Sequence, residues 1–475
     1  MSLLNPKVGP VIGVTTEQTV RVMCGIQSAG KDAKPNCGWI RIKPADGDWE
    51  LPKQFRFNQN FFYTGVIELT GLRPNTTYCY QVGYNPTFSE QRIESESNWA
   101  DLPEYSFSTL GREGFRFCFG SCLRNNGDER FGKALRVVKA FNEEKPLDMM
   151  LWLGDQVYND MYLGLTINNS STKDFKRLYR KFFDNQYVKD ILCAMPNYMV
   201  MDDHEVEDSF KHGAIDYQDT KVNWLTKDKD RLINSINAFY SYQASHGPIF
   251  DVIPSDVPGV SYVKGQEHNQ VPVRHYAAVD FGSIGLFLMD SRKERSSQGL
   301  ISRAQENALL DFLNSHYKVK LIGTSVTFLA DNYSNADAAD NWKKAAEQRK
   351  RILDHMTKKN ITNVFFLSGD VHSHFACRLN YEGKPTSIHQ LVSGSLFWPT
   401  SFIINSIRWF KDDVRFSKAI YGASRYSISE PLSTTKYDLY ASNGVAYVEV
   451  KESELIFEIR DTKGNVIISN VFPLE

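Results

Sequence analysis

Four apolar runs in this chain each end in a dense polar cluster, and that coincidence limits the architecture more than any other feature. Phe115–Phe119 ends in Gly120-Ser121-Cys122, and Leu147–Leu153 in Gly154-Asp155-Gln156-Val157-Tyr158. Tyr198–Met201 ends in Asp202-Asp203-His204-Glu205, and Asn363–Leu367 in Ser368-Gly369-Asp370-Val371-His372-Ser373-His374. Short apolar runs bounded by turn residues read as buried strands. Ligands of α/β sheets sit outside the carboxyl ends of strands, so the four clusters are expected to converge. Singly, each has an ordinary explanation: an Asp after a strand commonly starts a turn or caps a helix, and a His there is commonly a satisfied core or surface residue. Together they gather a thiol, a phenol, imidazoles and carboxylates, whose repulsion on burial would cost on the order of several kcal/mol without neutralising cations. A metal centre is therefore expected.

The rest of the chain supplies helices to cover such a sheet. Helical spacing marks Arg130–Glu144, Lys173–Leu192, Arg231–Tyr242 and Trp342–Lys358, and a helix opened by a Ser302/Gln305 capping box runs to His316. Further strands are expected at Arg274–Val279, Gly285–Met289, Lys318–Gly323, Phe375–Leu379, Ala446–Val450 and Leu455–Ile459. This alternation predicts an α/β layered fold over residues 111–475. Residues 1–110 read differently: Thr19–Ile26, Gly38–Ile42, Thr64–Leu69 and Thr77–Tyr84 are short strands separated by Gly, Pro and Asn, the pattern of a small all-β sandwich domain.

Composition excludes several classes. Of 475 residues, 42% are apolar and 23% charged, which rules out a disordered or collagen-like chain. Fifty-five Lys and Arg against 56 Asp and Glu leave a net charge of −1, so no basic excess exists to hold a nucleic-acid backbone or an anionic membrane, and no stable nucleic-acid partner is expected. The uncharged stretch Pro385–Ile407 contains Pro399, His389 and Gln390, so no transmembrane segment is expected there. Met1–Lys7 lacks an apolar run behind basic residues, so no export signal is expected in this chain. The seven cysteines show no C-x-x-C spacing and read as buried thiols; a Cys24–Cys79 bridge is open in an oxidising compartment. Oligomeric state is not legible.

Two resemblances sharpen these expectations. TGVIELTGLRPNTTYCYQVGY at Thr64–Tyr84 resembles the F-strand approach of fibronectin type III-like domains, where Leu-x-Pro-x-Thr-x-Tyr marks a tyrosine corner. FGSC, LGDQVY, MDDHEV and LSGDVHSH, in this order, resemble the alkaline phosphatase D (PhoD-like) family of the calcineurin-like metallophosphoesterase superfamily. The likeness extends through LMDSR, GTSV, DNWKKAAEQR and NGVAYVEV. It implies a layered metallophosphoesterase-like β-sandwich core flanked by helices, preceded by a small all-β fibronectin/Ig-like sandwich. By the same resemblance, one metal sees Cys122, Asp155, Tyr158 and His372, and the other sees Asp155, Asp203 and Asp370.

Thiolate and phenolate on one ion favour ferric iron, whereas carboxylates suit Ca²⁺ or Mg²⁺. Five ionised acidic ligands would carry a charge of about −5, which a trivalent and a divalent ion would balance. Fe³⁺ with Ca²⁺ is the pairing the resemblance implies, with Zn²⁺, Mn²⁺ and Mg²⁺ as alternatives. The expected activity is hydrolysis of phosphate monoesters, diesters or both by a metal-activated hydroxide. Phospholipase D-like or nucleotide phosphodiesterase specificity is the alternative within that class, and a non-catalytic metal-stabilised binding protein the alternative outside it. His204 is the candidate acid for the leaving group or a hydrogen-bond donor to a ligand. Arg124 and Arg292 are candidates to pair with the phosphate, against the ordinary reading of surface arginines. Asp202 and Glu205 are expected to orient ligands, and His374 to stand behind them. Leu396–Phe410, with its Phe and Trp residues, reads as a lid, a hydrophobic rim or core. Export is implied by resemblance, with a cytoplasmic location as the alternative; Ser209–Lys229 and Ser395–Tyr440 carry no legible pattern.

Overall fold

The computed structural model describes residues 3–26, 37–85, 98–125, 131–162, 165–166, 171–207, 225–264, 274–296, 299–332, 342–398, 416–429 and 443–475. Most of Ser209–Lys229 and Ser395–Tyr440, together with Phe402, Ile403, Trp409 and Phe410, lies outside them.

Two sheets form the centre of the larger part. The first runs Asn197–Met199, Met149–Trp152, Phe115–Gly120, Gly444–Val450, Glu454–Asp461, Val466–Pro473 in spatial order, with its first three strands parallel. The second runs Ala277–Phe281, Ile284–Leu288, Val319–Gly323, Val364–Ser368, Lys384–Ser393, His374–Tyr381, Tyr426–Ile428, its second to fifth strands parallel. Side chains alternate across a strand, so Phe117 and Phe119 point inward with Leu151 to meet Leu286, Leu321, Phe365 and Leu391 of the other sheet. Cys118, Met150 and Trp152 point outward, onto helices Lys133–Glu144, Thr172–Asp184 and Gln186–Leu192. The second sheet turns Phe287, Ile322 and Phe366 to helices Arg303–Leu313 and Ala346–Lys358 through Leu309 and Ile352. The layers are helix, sheet, sheet, helix.

Local chemistry explains where elements depart from expectation. The helical run 173–192 is two helices, because Asn185 adopts an extended backbone and accepts a hydrogen bond from Val188 N–H to start the second. Ser302 caps its helix, but the Gln305 amide leaves the box open and donates instead to Asp290 O at 2.9 Å; the helix ends at Leu313. The last long helix begins at Ala346, and Trp342 is core packing ahead of it. Strands Val8–Thr15, Lys384–Ser393 and Val466–Pro473 carry no strong apolar run and were not expected.

Near the N-terminus a four-stranded sheet (Lys53–Arg56, Cys37–Pro44, Thr77–Tyr84, Tyr105–Ser108) packs against a five-stranded one through Ile40, Tyr80 and Phe107 on one side and Ile12, Val22 and Ile67 on the other. The Tyr78 hydroxyl accepts from Arg73 N–H at 2.9 Å, the bond a tyrosine corner makes. Two strands of the five-stranded sheet come from far down the chain: Val260–Val263 pairs with Ile67–Leu69, and Val252–Pro254 pairs with Val260–Val263 at the sheet edge. Arg21 ties this seam, 2.7 Å from Glu68 and donating to Gly247 O and Phe250 O at 2.6 and 3.0 Å. All seven cysteines are free; Cys24 lies in the sandwich core and Cys79 does not share it, so the Cys24–Cys79 bridge is absent. Among the described residues no helix is long and apolar enough to cross a membrane.

His246, at the same seam, is fully buried with neither ring nitrogen hydrogen-bonded. Burial, reinforced by Arg21, pushes its pKa down to about 3. A folded-state pKa below the unfolded value means the unfolded chain binds more protons between the two, so this contribution to stability is full above about pH 6.5 and declines toward pH 3. Replacing His246 with Gln is expected to reduce the pH slope of unfolding free energy between pH 4 and 6 by about one proton, roughly 1.4 kcal/mol per pH unit. Urea unfolding across that range measures it; an unchanged slope would contradict it.

Candidate metal centre

The carboxyl ends of Phe115–Gly120, Met149–Trp152, Asn197–Met199 and Val364–Ser368 meet at one edge, and backbone bonds lock their loops together. Cys122 N–H donates to Gly154 O (3.3 Å), Leu123 N–H to Asp155 O (2.9 Å), and Leu396 N–H to Ser121 O (2.9 Å). Ser121 Oγ accepts from Asp370 N–H at 3.1 Å and joins the first loop to the fourth. Gly369 is required for this approach, since a Cβ there would stand 2.0 Å from Ser121 Oγ. Gly154 has φ +97° and a Cβ on it would meet Asp202 Cβ at 2.2 Å, so the second and third loops also touch only through glycine.

Cys122, Asp155 and His372 bring ligand atoms within 4.8 Å of one another. So do Asp155, Asp203 and His204, and so do Asp202, Asp203 and Asp370. Asp155 belongs to two of these groups and Asp203 to two, which makes them one continuous site. Tyr158 Oη reaches Asp155 Oδ2 at 3.2 Å and Cys122 Sγ reaches it at 3.5 Å. His372 Nε2 is buried without a hydrogen-bond partner, an arrangement suited to a ligand atom. Cys122, Asp155, Asp370 and His372 all hold positive φ, at 56°, 58°, 64° and 46°. Left-handed backbone at non-glycine residues costs on the order of 1–3 kcal/mol each and collects at functional sites.

Electrostatics point the same way. Burial pushes the Asp155 carboxyl well above the usual carboxylate range; His204 opposes this, and Asp202, Asp203 and Glu205 reinforce it. Burial likewise lifts the Cys122 thiol and the Tyr158 phenol, with Asp155 adding to both. Each of these anions would be costly here without a cation, and a cation inverts that preference. Burial, aided by His204, lowers His372 to about 3, leaving a neutral imidazole with an electron pair to offer.

The surrounding residues divide the remaining work. Glu205, fully buried, accepts from the backbone N–H groups of Asp155, Gln156 and Asp202 at 3.0, 2.8 and 2.8 Å and from Gln243 Nε2 at 3.3 Å. One carboxylate thus clamps two ligand-bearing loops. His204 places Nδ1 2.8 Å from Asp160 Oδ1, a partner that sequence reasoning missed although it lies two residues past Tyr158. Burial works against the His204 cation, yet Asp203, Asp155 and Asp160 together raise its pKa well above the ordinary value. Arg292 differs from expectation. It is fully buried, bonds Asp202 through Nε, and holds Nη2 3.6 and 3.5 Å from Asp203 and Asp370. Its guanidinium is directed at carboxylates. Arg124 is buried too, but among the described residues it forms no ion pair; its guanidinium lies 5.0 Å over the Trp398 ring. His374 is buried at the start of its strand. The half-exposed Asp370, His372 and Trp398 mark the open side.

Comparison with known proteins bears on the family and the fold. The PhoD-like phosphatase family matches residues 117–408, more than half of the chain. Alkaline phosphatase D of Bacillus subtilis (strain 168) is 21% identical over 390 residues, 74% of this chain and 62% of that protein, so the match spans under two thirds of its length. The solved structure of PhoD superposes with a TM-score of 0.69 at 17% identity, covering 99% of this chain and 91% of that one. Purple acid phosphatase PPD1 from yellow lupin (Lupinus luteus) seeds follows at 0.57 and 12%, over 98% and 74%. These likenesses match the two-sheet α/β core, and with a family match over residues 117–408 the chain belongs to the PhoD-like phosphatases.

Proposed function

We propose that this chain hydrolyses phosphate esters at a pair of cations, one held by Cys122, Asp155, Tyr158 and His372 and the other by Asp155, Asp203 and Asp370. The observation that carries the reading is Asp155, whose carboxylate belongs to two adjoining ligand groups, which supports a bridging role. A thiolate with a phenolate suits ferric iron and the all-carboxylate side suits Ca²⁺. Such a pair supplies an activated water near neutral pH and stabilises the charge of an in-line displacement at phosphorus.

The chain's own residues provide the rest. Asp160 lies 2.8 Å from His204 Nδ1 and orients the ring, which suits His204 to protonate a leaving alkoxide or phenoxide. Arg124 offers bidentate donors to a phosphate oxygen from the open side. Arg292 orders Asp202, Asp203 and Asp370 and is read as a positioning residue, not a phosphate ligand. The first 110 residues, joined by the 252–263 hairpin, serve as a structural domain braced against the catalytic one, and export rests on the family likeness.

Hydrolysis of p-nitrophenyl phosphate and of its bis ester tests this directly. Metal-loaded protein should cleave at least one, lose that activity on chelation, and regain it with Fe³⁺ and Ca²⁺. Cleavage of neither, or full activity after chelation with no metal left on the protein, would overturn it. The ratio of the two rates assigns mono- or diesterase preference.

A further inference from the structure

Trp398 is the aromatic residue that the candidate site does not use as a ligand yet cannot avoid. Its ring centroid lies 3.8 Å from that of His372 at 31°, and 5.9 Å from that of Tyr158. The Arg124 guanidinium sits 5.0 Å over the same ring. One indole therefore touches two proposed ligands of the first cation and the buried Arg124, which forms no ion pair among the described residues. Such a guanidinium has its desolvation only partly offset by an aromatic face, which leaves its N–H donors available to an anion.

The backbone under Trp398 is fixed to the ligand loops. Phe397 N–H donates to Cys122 O at 3.1 Å, and Arg124 N–H donates to Phe397 O at 3.0 Å, so 122–124 and 396–398 run as a short parallel pair. Trp398 N–H donates to Asn443 Oδ1 at 2.7 Å, and Ser395 Oγ donates to the same oxygen at 2.9 Å.

We propose that Trp398 is a positioning residue that holds the Arg124 guanidinium and the His372 imidazole in fixed relation, so that a tetrahedral phosphate oxyanion meets Arg124 and the first cation at once. The inference rests on the phosphoesterase reading above. Because Trp398 acts through Arg124, removing the ring should be felt only while the arginine is present.

The test uses metal-loaded full-length protein and inorganic orthophosphate, with binding followed by titration calorimetry and by tryptophan fluorescence. Trp398→Phe keeps a ring under the cation and should bind orthophosphate within about threefold of wild type. Trp398→Leu should bind about tenfold more weakly. Arg124→Ala should weaken binding at least as much, and the Arg124→Ala/Trp398→Leu double variant should be no weaker than Arg124→Ala alone within about threefold. The fluorescence change on phosphate binding should vanish in Trp398→Phe. Asn443→Ala, which loosens the support without touching the ring, should weaken binding in the same direction and covers the case in which Trp398→Leu does not fold. Wild-type affinity in Trp398→Leu, or losses that multiply in the double variant, would overturn the inference while wild-type hydrolysis leaves the enzyme reading standing. Wild type that neither binds orthophosphate nor cleaves p-nitrophenyl phosphate would overturn both.

Discussion

In the Asp155→Ala variant, hydrolysis of p-nitrophenyl phosphate is expected to fall by at least about 10³-fold, the scale on which removal of a central catalytic element is felt. Asp155 is the residue common to the Cys122/His372 group and the Asp203/His204 group, so its loss breaks both sides of the proposed centre. Its carboxylate also accepts from His204 N–H at 3.3 Å and lies against the Tyr158 hydroxyl and the Cys122 thiol. Metal content should therefore fall with activity, and any visible absorption from Tyr158 bound to iron should be lost. Asp155→Asn keeps the shape and one acceptor oxygen but removes the charge, and should be nearly as damaging. Steady-state kinetics beside elemental analysis checks this; an Asp155→Ala protein with full activity would contradict it.

Glu205→Gln should be almost as informative, because it leaves every proposed ligand in place. The two carboxylate oxygens divide their donors: Oε2 takes the N–H groups of Asp155 and Asp202, and Oε1 takes Gln156 N–H and the Gln243 amide. A glutamine offers one acceptor, so in either orientation its NH₂ group faces N–H donors. At least one buried backbone N–H is then unpaired, at a cost of about 1–3 kcal/mol. Metal affinity should fall by about 10–100-fold, the usual effect of disturbing groups that orient ligands. Chelator competition and urea unfolding measure the two effects. Unchanged metal affinity would mean that the two loops hold their geometry without the clamp. Burial raises Glu205 to about 7, against the pull of those N–H donors.

What was legible in the sequence follows from which signals are local. Phe115–Gly120 and Met149–Trp152 are buried on both faces, so each reads as a continuous apolar run. The polar residues at their ends stand out against that background. Lys384–Ser393 is half exposed at its start, and Val466–Pro473 is a partly exposed edge strand, so neither carries such a run. The hairpin at 252–263 pairs with residues almost two hundred positions earlier, and no local pattern announces it. The same holds within the site. Cys122, Asp155 and His372 stood out as candidates because they follow strands, whereas the contact of Asp160 depends on where His204 points after folding. The surroundings of Arg292 were illegible for a related reason: an arginine after a strand looks alike whether it faces solvent or three carboxylates. The positive φ of Cys122 and His372 has no sequence signature at all.

Elemental analysis of the purified protein together with its visible spectrum bears most directly on the central idea, that residues from four strand ends hold a pair of ions. Two metal ions per chain are expected, with a charge-transfer band that disappears in Tyr158→Phe if one of them is ferric iron. A chain that carries no metal, and takes up none when Fe³⁺, Ca²⁺, Zn²⁺, Mn²⁺ or Mg²⁺ is supplied, would contradict it.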